Sequence, residues 1–462
     1  MLAWMTPQPS ITRRALRIST IEGSWAIIHF LLTNGIYFTG FALMLGADDF
    51  ELGLLGAIPM LAQVFQMLGA YLIERTGWRK PIVAWLSVIS RTAWLPIALI
   101  PLFVHNRPVL VFMILYLFSS IVMNIAGPGW VTWMSSIVPP AIRGRYFAVR
   151  NRIGTFVSIC GYYIAGRALD LFKTHGEEQA GFMVLQLIAV FAGLLAFSLI
   201  RRQHDPGSPP EPVPPLMHYV LQPMRDPNYR RIIGFCLYWW FAVGIASPFF
   251  NAHLLKNMNW SYESASLLSV ISSVTTIVVL KAWGRMIDRF GHKPVLILSV
   301  IGIFQLPFYF VFCPWNVRWP IYVNAVLTGL FWSGYGLASF NLMIEMLPPR
   351  NRTMSVAVVA ALSGTVMFVA NTLSGWLAGQ LESLRWDFGP LAVVNYQVLF
   401  MVTAILRLPA LLLVDRIQEP DAVTVRVLVG RMFAEFNRRV GLTWTVFTGP
   451  VKDSGVELPT QD

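Results

Sequence analysis

A few ionisable side chains lie inside long apolar stretches of this sequence, where they could carry protons or ions. They are Glu22, His29, Arg91 and Glu345. Glu22 and His29 are separated by two helical turns, so a proton could pass between them through water. A polar group inside a membrane is costly and usually faces a cavity or a partner. We therefore predict these four residues as candidate ion-coupling groups.

Glu22 and His29 belong to a longer polar stripe on one helical face. Trp25 and Thr33 fall on the same face when each residue advances the helix by about 100°. This stripe is a candidate lining for a pathway through the membrane. In the alternative interpretation, Glu22 lies at the membrane interface and His29 is hydrogen-bonded within the helix bundle.

Four arginine and lysine residues inside the apolar stretches raise the question of what neutralises them. Arg91 lies roughly 13 Å deep, so we expect an acidic partner on a neighbouring helix, with an ion or substrate role as the alternative. Arg167 has Asp170 three residues later and is expected to pair locally. Lys281 and Arg407 are expected to extend their side chains to cytoplasmic water.

The composition shows which elements must hold these side chains. The 462 residues are 56% hydrophobic and 13% charged, with a mean hydropathy of +0.59, whereas soluble domains carry about 25% charged residues. This excludes a soluble enzyme, a nucleic-acid-binding domain, a disulfide scaffold and a disordered chain. The three cysteines suggest neither a disulfide framework nor a metal site. We expect no cofactor, no bound metal and no cleaved signal peptide.

Apolar stretches bounded by charge, proline or glycine predict an all-α integral membrane protein with twelve transmembrane helices. The predicted spans are 21–45, 52–73, 82–104, 109–137, 146–171, 181–200, 231–254, 262–283, 294–313, 319–346, 353–381 and 391–414.

The net charge of +12 is a topology signal in such a protein. With the N-terminus in the cytoplasm, 26 lysines and arginines fall in cytoplasmic segments and 5 in external loops. The positive-inside rule therefore predicts that both termini are cytoplasmic. We expect a multi-pass protein of the plasma (cytoplasmic or inner) membrane.

An internal repeat divides the chain into two halves. Glu74, Arg75 and Gly77 follow the second span, and Asp288, Arg289 and Gly291 follow the eighth, 214 residues later (288 − 74). Two six-helix halves running in the same direction explain this offset. The predicted domains are an N-terminal segment 1–20, a first half 21–200, a Pro-rich linker 201–230, a second half 231–414 and a tail 415–462. We expect the tail to form a basic amphipathic helix on the inner membrane surface, or alternatively to dock on a partner.

At these turns the sequence resembles the major facilitator superfamily of secondary transporters. The family's signature after helix 2 is Gly-x-Leu-Ala-Asp-Arg-x-Gly-Arg-Lys/Arg, with a weaker copy after helix 8. Gly284, Asp288, Arg289, Gly291 and Lys293 match the second copy. The first copy matches less closely, with Ala70 for Gly and Glu74 for Asp. The resemblance implies two six-helix halves related as parallel repeats, which rock about a central site.

The signature also predicts a latch on the cytoplasmic side. Glu74 and Asp288 are the candidate acids, and rocking would break their pairs with basic groups. Gly77 and Gly291 would allow the tight turns. In the alternative interpretation, the basic residues only enforce topology. The candidate bases are Arg75, Arg79, Arg145, Arg152, Arg289, Lys293 and Arg352.

In the family, helices 1, 4, 7 and 10 line the cavity, and aromatic residues are frequent on these helices here. Aromatic faces bind apolar rings and sugars, although Trp and Tyr also pack or anchor at interfaces. Such a cavity, poor in charge, favours a neutral or weakly charged organic solute. The candidate cavity residues are Trp25, His29, Thr33, Asn124, Trp130, Trp239, Trp332 and Tyr335.

These patterns predict a secondary active transporter of a small organic solute, working by alternating access and coupled to an ion, with a proton favoured over sodium. The sequence has neither an ATP-binding P-loop nor a Ser-His-Asp set, so we expect no enzyme activity and no catalytic residue. Expected partners are the solute and membrane lipids, without nucleic acid, and the expected state is a monomer. The alternative function is a transporter-like membrane sensor or assembly factor.

Overall fold

The computed structural model describes residues 10–207, 223–346, 352–388, 391–419 and 422–431. Ten helical segments in it are long and apolar enough to cross a membrane, and two further long helices complete a set of twelve. The segments are α1 (Thr12–Met44), α2 (Asp49–Thr76), α3 (Arg79–Phe103), α4 (Pro108–Ile137), α5 (Arg143–Thr174), α6 (Glu178–Arg202), α7 (Pro227–Asn257), α8 (Tyr262–Phe290), α9 (His292–Phe312), α10 (Trp319–Met346), α11 (Ser355–Gln380) and α12 (Asn395–Asp415).

Six of these segments are interrupted. Proline explains several breaks, because Pro248, Pro307 and Pro409 lack the N–H that would continue the helix before them. In α1, Gly35 adopts a φ of 62° at the break. The pieces are Ser10–Leu32 and Gly35–Met44 in α1, Asp49–Ala62 and Phe65–Thr76 in α2, and Arg79–Thr92 and Trp94–Phe103 in α3. In the second half they are Pro227–Gly244, Phe249–Ala252 and the π-turn His253–Asn257 in α7, His292–Phe304 and Leu306–Phe312 in α9, and Asn395–Arg407 and Pro409–Asp415 in α12.

Local signals in the sequence set where several helices start. Asp48 and Glu51 form a capping box at the start of α2. Asp226 caps α7 and Ser261 caps α8 through their side-chain oxygens. These caps fix helix ends at the loops, where the backbone would otherwise leave N–H groups unbonded.

A short β-hairpin stands between α11 and α12. Its strands are β1 (Arg385–Phe388) and β2 (Leu391–Val394), antiparallel, with Arg385 opposite Val394. The sequence predicted that the last span begins at residue 391, but α12 begins at Asn395. The run Leu391–Val394 is apolar enough to be read as helix, yet its pairing with β1 satisfies the same backbone groups.

The bundle has two ends, which we call the linker face and the distal face. The linker face carries Gly77, Gly207 and Gly291, and the distal face carries Gly46 and the β-hairpin. Towards the distal face, one apolar core contains residues from both halves, including Phe41, Phe182, Tyr262, Phe249 and Tyr396.

Towards the linker face, the large apolar cores are separate. One core lies wholly in the first half around Trp133, and another in the second half around Trp239. Among the described residues, a small patch of Ala70, Ala357 and Val358 joins α2 to α11 on this side. The two halves are therefore fused at the distal face and largely divided at the linker face.

The tail is described only to residue 431. Residues 425–431 are helical, and Leu428 is fully buried in the core of the second half. The rest of the expected amphipathic helix lies outside the described residues.

Candidate functional site

Three neighbouring cavities occupy the space within and between the halves. The interhalf cavity is about 190 Å³, the α10–α11 cavity about 360 Å³ and the Arg407 cavity about 520 Å³. Met60 and Met367 line both of the first two, and Ser247 and Asn251 line both the first and the third. Shared walls place the three cavities side by side through the middle of the bundle.

Two of the predicted cavity residues line these spaces. Trp332 lines the Arg407 cavity and Tyr335 lines the α10–α11 cavity. Trp239 is fully buried behind them, and its ring stacks on Tyr335 with centroids 5.2 Å apart. Its neighbour Trp240, which the sequence reasoning missed, lines the α10–α11 cavity instead. Periodicity alone did not distinguish the two faces of this aromatic run.

Trp25, His29 and Thr33 of the polar stripe on α1 face other helices of the first half. His29 Nδ1 lies 2.9 Å from the carbonyl oxygen of Ala189 on α6, and its ring meets Trp94 edge-on. Thr33 donates its hydroxyl to the His29 carbonyl, and Trp25 is half-buried. None of the three lines a cavity described above. This geometry fits the alternative interpretation, in which His29 is bonded within the bundle.

The two candidates on α4 also face other helices. The side-chain oxygen of Asn124 accepts a hydrogen bond from Gln66 at 3.0 Å. Trp130 packs under Arg150, whose guanidinium lies 4.7 Å from the ring centroid. Both residues tie α4 to its neighbours.

Glu22 lies between two arginines in the interior of the first half. Arg91 Nη2 is 3.8 Å from Glu22 Oε1, and Arg150 Nη2 is 4.0 Å from Glu22 Oε2. Glu22 is 3% exposed and Arg91 is 5% exposed. The structure thus supplies an acidic partner for Arg91, and the three side chains together carry a net formal charge of +1.

The fourth coupling candidate, Glu345, lies at the linker face and not in the interior. Its carboxylate is half exposed, and Oε2 is 3.7 Å from His292 Nδ1. The end of α10 therefore places Glu345 beside the turn that precedes α9.

The first signature turn binds the segment that leaves the first half. Arg79 is buried; its Nε donates to Asp205 at 3.0 Å and its Nη2 to the Gly207 carbonyl at 2.5 Å. Lys80 donates to the Gln203 carbonyl at 2.7 Å. Gly77 ends α2 with a φ of 70°, which a glycine adopts without strain.

The second signature turn, at Gly291, also binds a carboxylate from the segment that follows the last helix of its half. Glu419 accepts the backbone N–H groups of His292 and Lys293 at 2.8 and 2.7 Å. Asp205 and Glu419 are 214 residues apart (419 − 205), the same offset that separates Arg79 from Lys293. The sequence reasoning missed both carboxylates, although this shared offset identifies them. We call these two contacts the exit clamps.

The remaining latch candidates lie around these turns. Arg75 donates to the Tyr71 hydroxyl at 2.7 Å, and Arg289 lies against the Phe290 ring. Asp288 is exposed and forms no ion pair with another described residue. Three further candidates are Glu74, half-buried at the end of α2, and the exposed residues Arg145 and Arg152 on α5. The side chain of Arg352 lies outside the described residues.

A polar cluster on Asp49 clamps the halves together near the distal face. Asp49 is buried and accepts from Lys256 Nζ at 2.9 Å, from the Tyr396 hydroxyl at 2.5 Å and from Asn395 Nδ2 at 2.6 Å. These contacts join α2 of the first half to α7 and α12 of the second. No sequence motif pointed to Asp49.

A second distal clamp joins α5 to α8. Asp170 accepts the backbone N–H groups of Tyr262 and Glu263, both at 2.8 Å. Arg167 was expected to pair with Asp170, but its Nη1 lies 3.2 Å from Glu263. The local pairing fails because Asp170 instead accepts the unbonded N–H groups at the start of α8. Arg167 therefore pairs with Glu263 across the halves.

Arg407 does not extend to water as the sequence suggested. It is 3% exposed, and its Nη1 donates to the Ile303 carbonyl at 3.1 Å. Pro307 explains this contact, because it lacks the N–H that would bond Ile303 in a continuous helix. The side chain is held inside the bundle by a carbonyl that the break in α9 leaves without its usual helical partner.

Comparison with known families gives a match over most of the chain. The model of the Major Facilitator Superfamily matches twice, over residues 25–250 and 232–449. The tetracycline resistance protein of class E from Escherichia coli is 26% identical over 156 residues, which cover 33% of this chain and 37% of that protein. The chain therefore spans about a third of the length of the curated relatives that it matches.

Solved structures share the fold at low identity. A variant of the nucleoside transporter NupG has a TM-score of 0.68 at 11% identity, covering 88% of this chain and 100% of that one. A D-xylose-proton symporter has a TM-score of 0.63 at 15% identity, covering 89% and 98%. Both comparisons concern architecture, since the identities are too low to transfer a substrate.

Proposed function

Because this chain belongs to the Major Facilitator Superfamily, we propose that it is a secondary transporter that carries a small organic solute by alternating access. One observation supports this most directly: the halves share a single core at the distal face and have separate large cores at the linker face. Cavities of the size of small-molecule sites lie between these regions. The arrangement corresponds to a state that is closed at the distal face.

The sides of the membrane follow from charge. The excess of lysine and arginine at the linker face supports a cytoplasmic location for that face and both termini, in a plasma or inner membrane. The state would then be open towards the cytoplasm. We propose a proton as the coupling ion, since the D-xylose-proton symporter shares this fold.

The distal clamps supply a physical basis for switching. Asp49 and Asp170 hold α2 and α5 of one half against α7, α8 and α12 of the other. Opening the distal face requires both clamps to break, and their carboxylates would then exchange protein donors for water. The Arg167–Glu263 pair at the same boundary is partly exposed and costs little to break.

The function is tested first with purified protein. A thermal-stabilisation screen of organic solutes identifies binders, and proteoliposome uptake of each binder is then measured at varied pH and sodium. We expect accumulation driven by a proton gradient. Binding without any movement of solute would contradict transport and favour a sensor.

A cross-link tests alternating access itself. Arg167→Cys with Glu263→Cys joins the halves at the distal face through a short thiol cross-linker, and transport should stop until the link is reduced. Lys173→Cys with Glu178→Cys is the control, because that pair, 3.5 Å apart, lies within the first half. Its transport is compared before and after linking, since Glu178→Cys alone removes a hydrogen bond from Tyr262. Full transport with the first pair linked would contradict rocking of the halves.

A further inference from the structure

The Arg407 cavity contains a buried positive charge that no described residue neutralises. Arg407 lies eight residues, or about 12 Å, from the linker end of α12. Among the residues that the structure describes, no carboxylate forms an ion pair with it. An intramembrane charge of this kind is a functional-site hypothesis by default.

The contact with Ile303 uses only part of the guanidinium. An arginine has five N–H donors in a planar fork, and a single hydrogen bond from Nη1 is recorded. Within the described chain, Nε has no hydrogen-bond partner. A buried donor without an acceptor is costly, so Nε is available to an acceptor that enters the cavity.

The cavity around Arg407 combines hydroxyl and amide groups with aromatic rings. Its volume of about 520 Å³ suits a small organic molecule. One wall is aromatic, from Phe250, Phe310 and Trp332. The polar lining includes Ser247, Asn251, Ser272, Asn324 and Thr328 of the second half and Tyr162 of the first.

We propose that this cavity binds a small organic carboxylate, with the carboxylate on Arg407 and the apolar part against the aromatic wall. A carboxylate matches the guanidinium fork in shape and charge, and the contact strengthens where water is excluded. This names a substrate class for the proposed transporter and so rests on that function. It replaces the neutral solute that the low charge of the sequence favoured.

The test compares matched ligands on purified protein. Benzoate and 3-phenylpropionate are titrated against benzamide and 3-phenylpropionamide, which have the same shape without the charge, and the melting temperature and Kd are measured. The acids should stabilise the wild type and the amides should not. Arg407→Gln should weaken acid binding about 10- to 100-fold, and Arg407→Lys should recover part of it.

Two variants guard against a loss that is only structural. Thr328→Val alters the cavity wall without touching the charge and should weaken acid binding less than Arg407→Gln does. Arg91→Gln removes a buried arginine outside the cavity and should leave the Kd for the acids unchanged. If Arg407→Gln fails to fold, Arg407→Lys and Thr328→Val still separate the two roles.

Several outcomes would overturn the proposal. The proposal is wrong if acids and amides stabilise the protein equally, or if neither acid stabilises it. It is also wrong if Arg407→Lys, Thr328→Val and the wild type bind the acids equally. Displacement by phosphatidylglycerol but not by the free acids would assign the cavity to a lipid headgroup. Transport of a neutral solute with no acid binding would contradict the carboxylate site but support the transport function. Acid binding without transport would support the site and contradict the transport function.

Discussion

The two halves treat a buried arginine in opposite ways. In the first half the arginine is Arg91 on α3, packed against Gly193 on α6 and facing Glu22. In the second half it is Arg407 on α12, reaching back to Ile303 on α9. Gly193 and Arg407 are 214 residues apart (407 − 193), so they occupy equivalent positions of the repeat.

The third and sixth helices of each half therefore hold an arginine between them. In the first half the arginine comes from the third helix, α3, and in the second half from the sixth, α12. The position equivalent to Glu22 is Cys236, so the second half has no acid there. In the first half the buried arginine therefore faces an acid of the same half, although the cluster keeps a net charge of +1. In the second half the buried arginine faces a cavity. A repeated architecture can in this way divide packing and ligand binding between its copies.

The largest expected effect follows from removing the acid of the first half. Glu22→Gln would leave the buried Arg91 and the partly buried Arg150 without a counter-charge, which costs about 3–5 kcal/mol of unfolding free energy. The melting temperature in detergent should fall strongly. Glu382→Gln, at an exposed pair with Lys256, is the control and should change it little. A small effect of Glu22→Gln would remove the contrast between the halves.

The exit clamps offer a second comparison of equivalent positions. Asp205→Ala leaves the buried Arg79 without its acid, and we expect a loss of about 2–3 kcal/mol. Glu419→Ala removes a helix cap at the start of α9, and we expect about 1–2 kcal/mol. Thermal melts of both variants measure the difference. The reverse order would show that capping outweighs the ion pair.

Gly193 tests the packing that admits Arg91. An added Cβ would lie 2.9 Å from the Arg91 Cβ, so Gly193→Ala should cost about 1–3 kcal/mol. Gly127→Ala on α4 is the matched control, since nothing lies within 4 Å of its added Cβ. That control should be neutral or up to about 1 kcal/mol stabilising. Equal melting temperatures for the two variants would contradict the close packing.

The smallest effect on stability is expected at Arg407. Arg407→Gln strands no acid and removes a desolvated charge, so the unfolding free energy should stay within about 1 kcal/mol of the wild type. The measurement is again the melting temperature without ligand, beside that of Glu22→Gln. A loss as large as that of Glu22→Gln would mean that Arg407 is primarily structural.

The sequence predicted the architecture well because hydropathy and charge bias are local signals. The family, the two halves and the tight turns at Gly77 and Gly291 were all readable from residue types and spacing. An acid for Arg91 was also expected from the cost of a buried charge. Which acid it is depended on how α1 and α3 both pack against α6, and no spacing rule contains that information.

The candidate site was harder to predict because the rotation of each helix about its axis decides which side chains face a cavity. Trp239 and Trp240 are adjacent, yet one is core and the other lines a cavity. Arg407 was assigned to water from its distance to the helix end. The prediction failed because Pro307, on another helix, frees the Ile303 carbonyl that holds it. Such a contact joins residues about a hundred positions apart.

The exit clamps decide which segments move together with each half. Asp205 and Glu419 lie beyond the last helix of their respective halves, yet each closes the turn after its own half's second helix. Each half is therefore tied at its own second turn to the segment that leaves it. When the halves rock, the start of the linker and the start of the tail should each travel with the half to which they are bound.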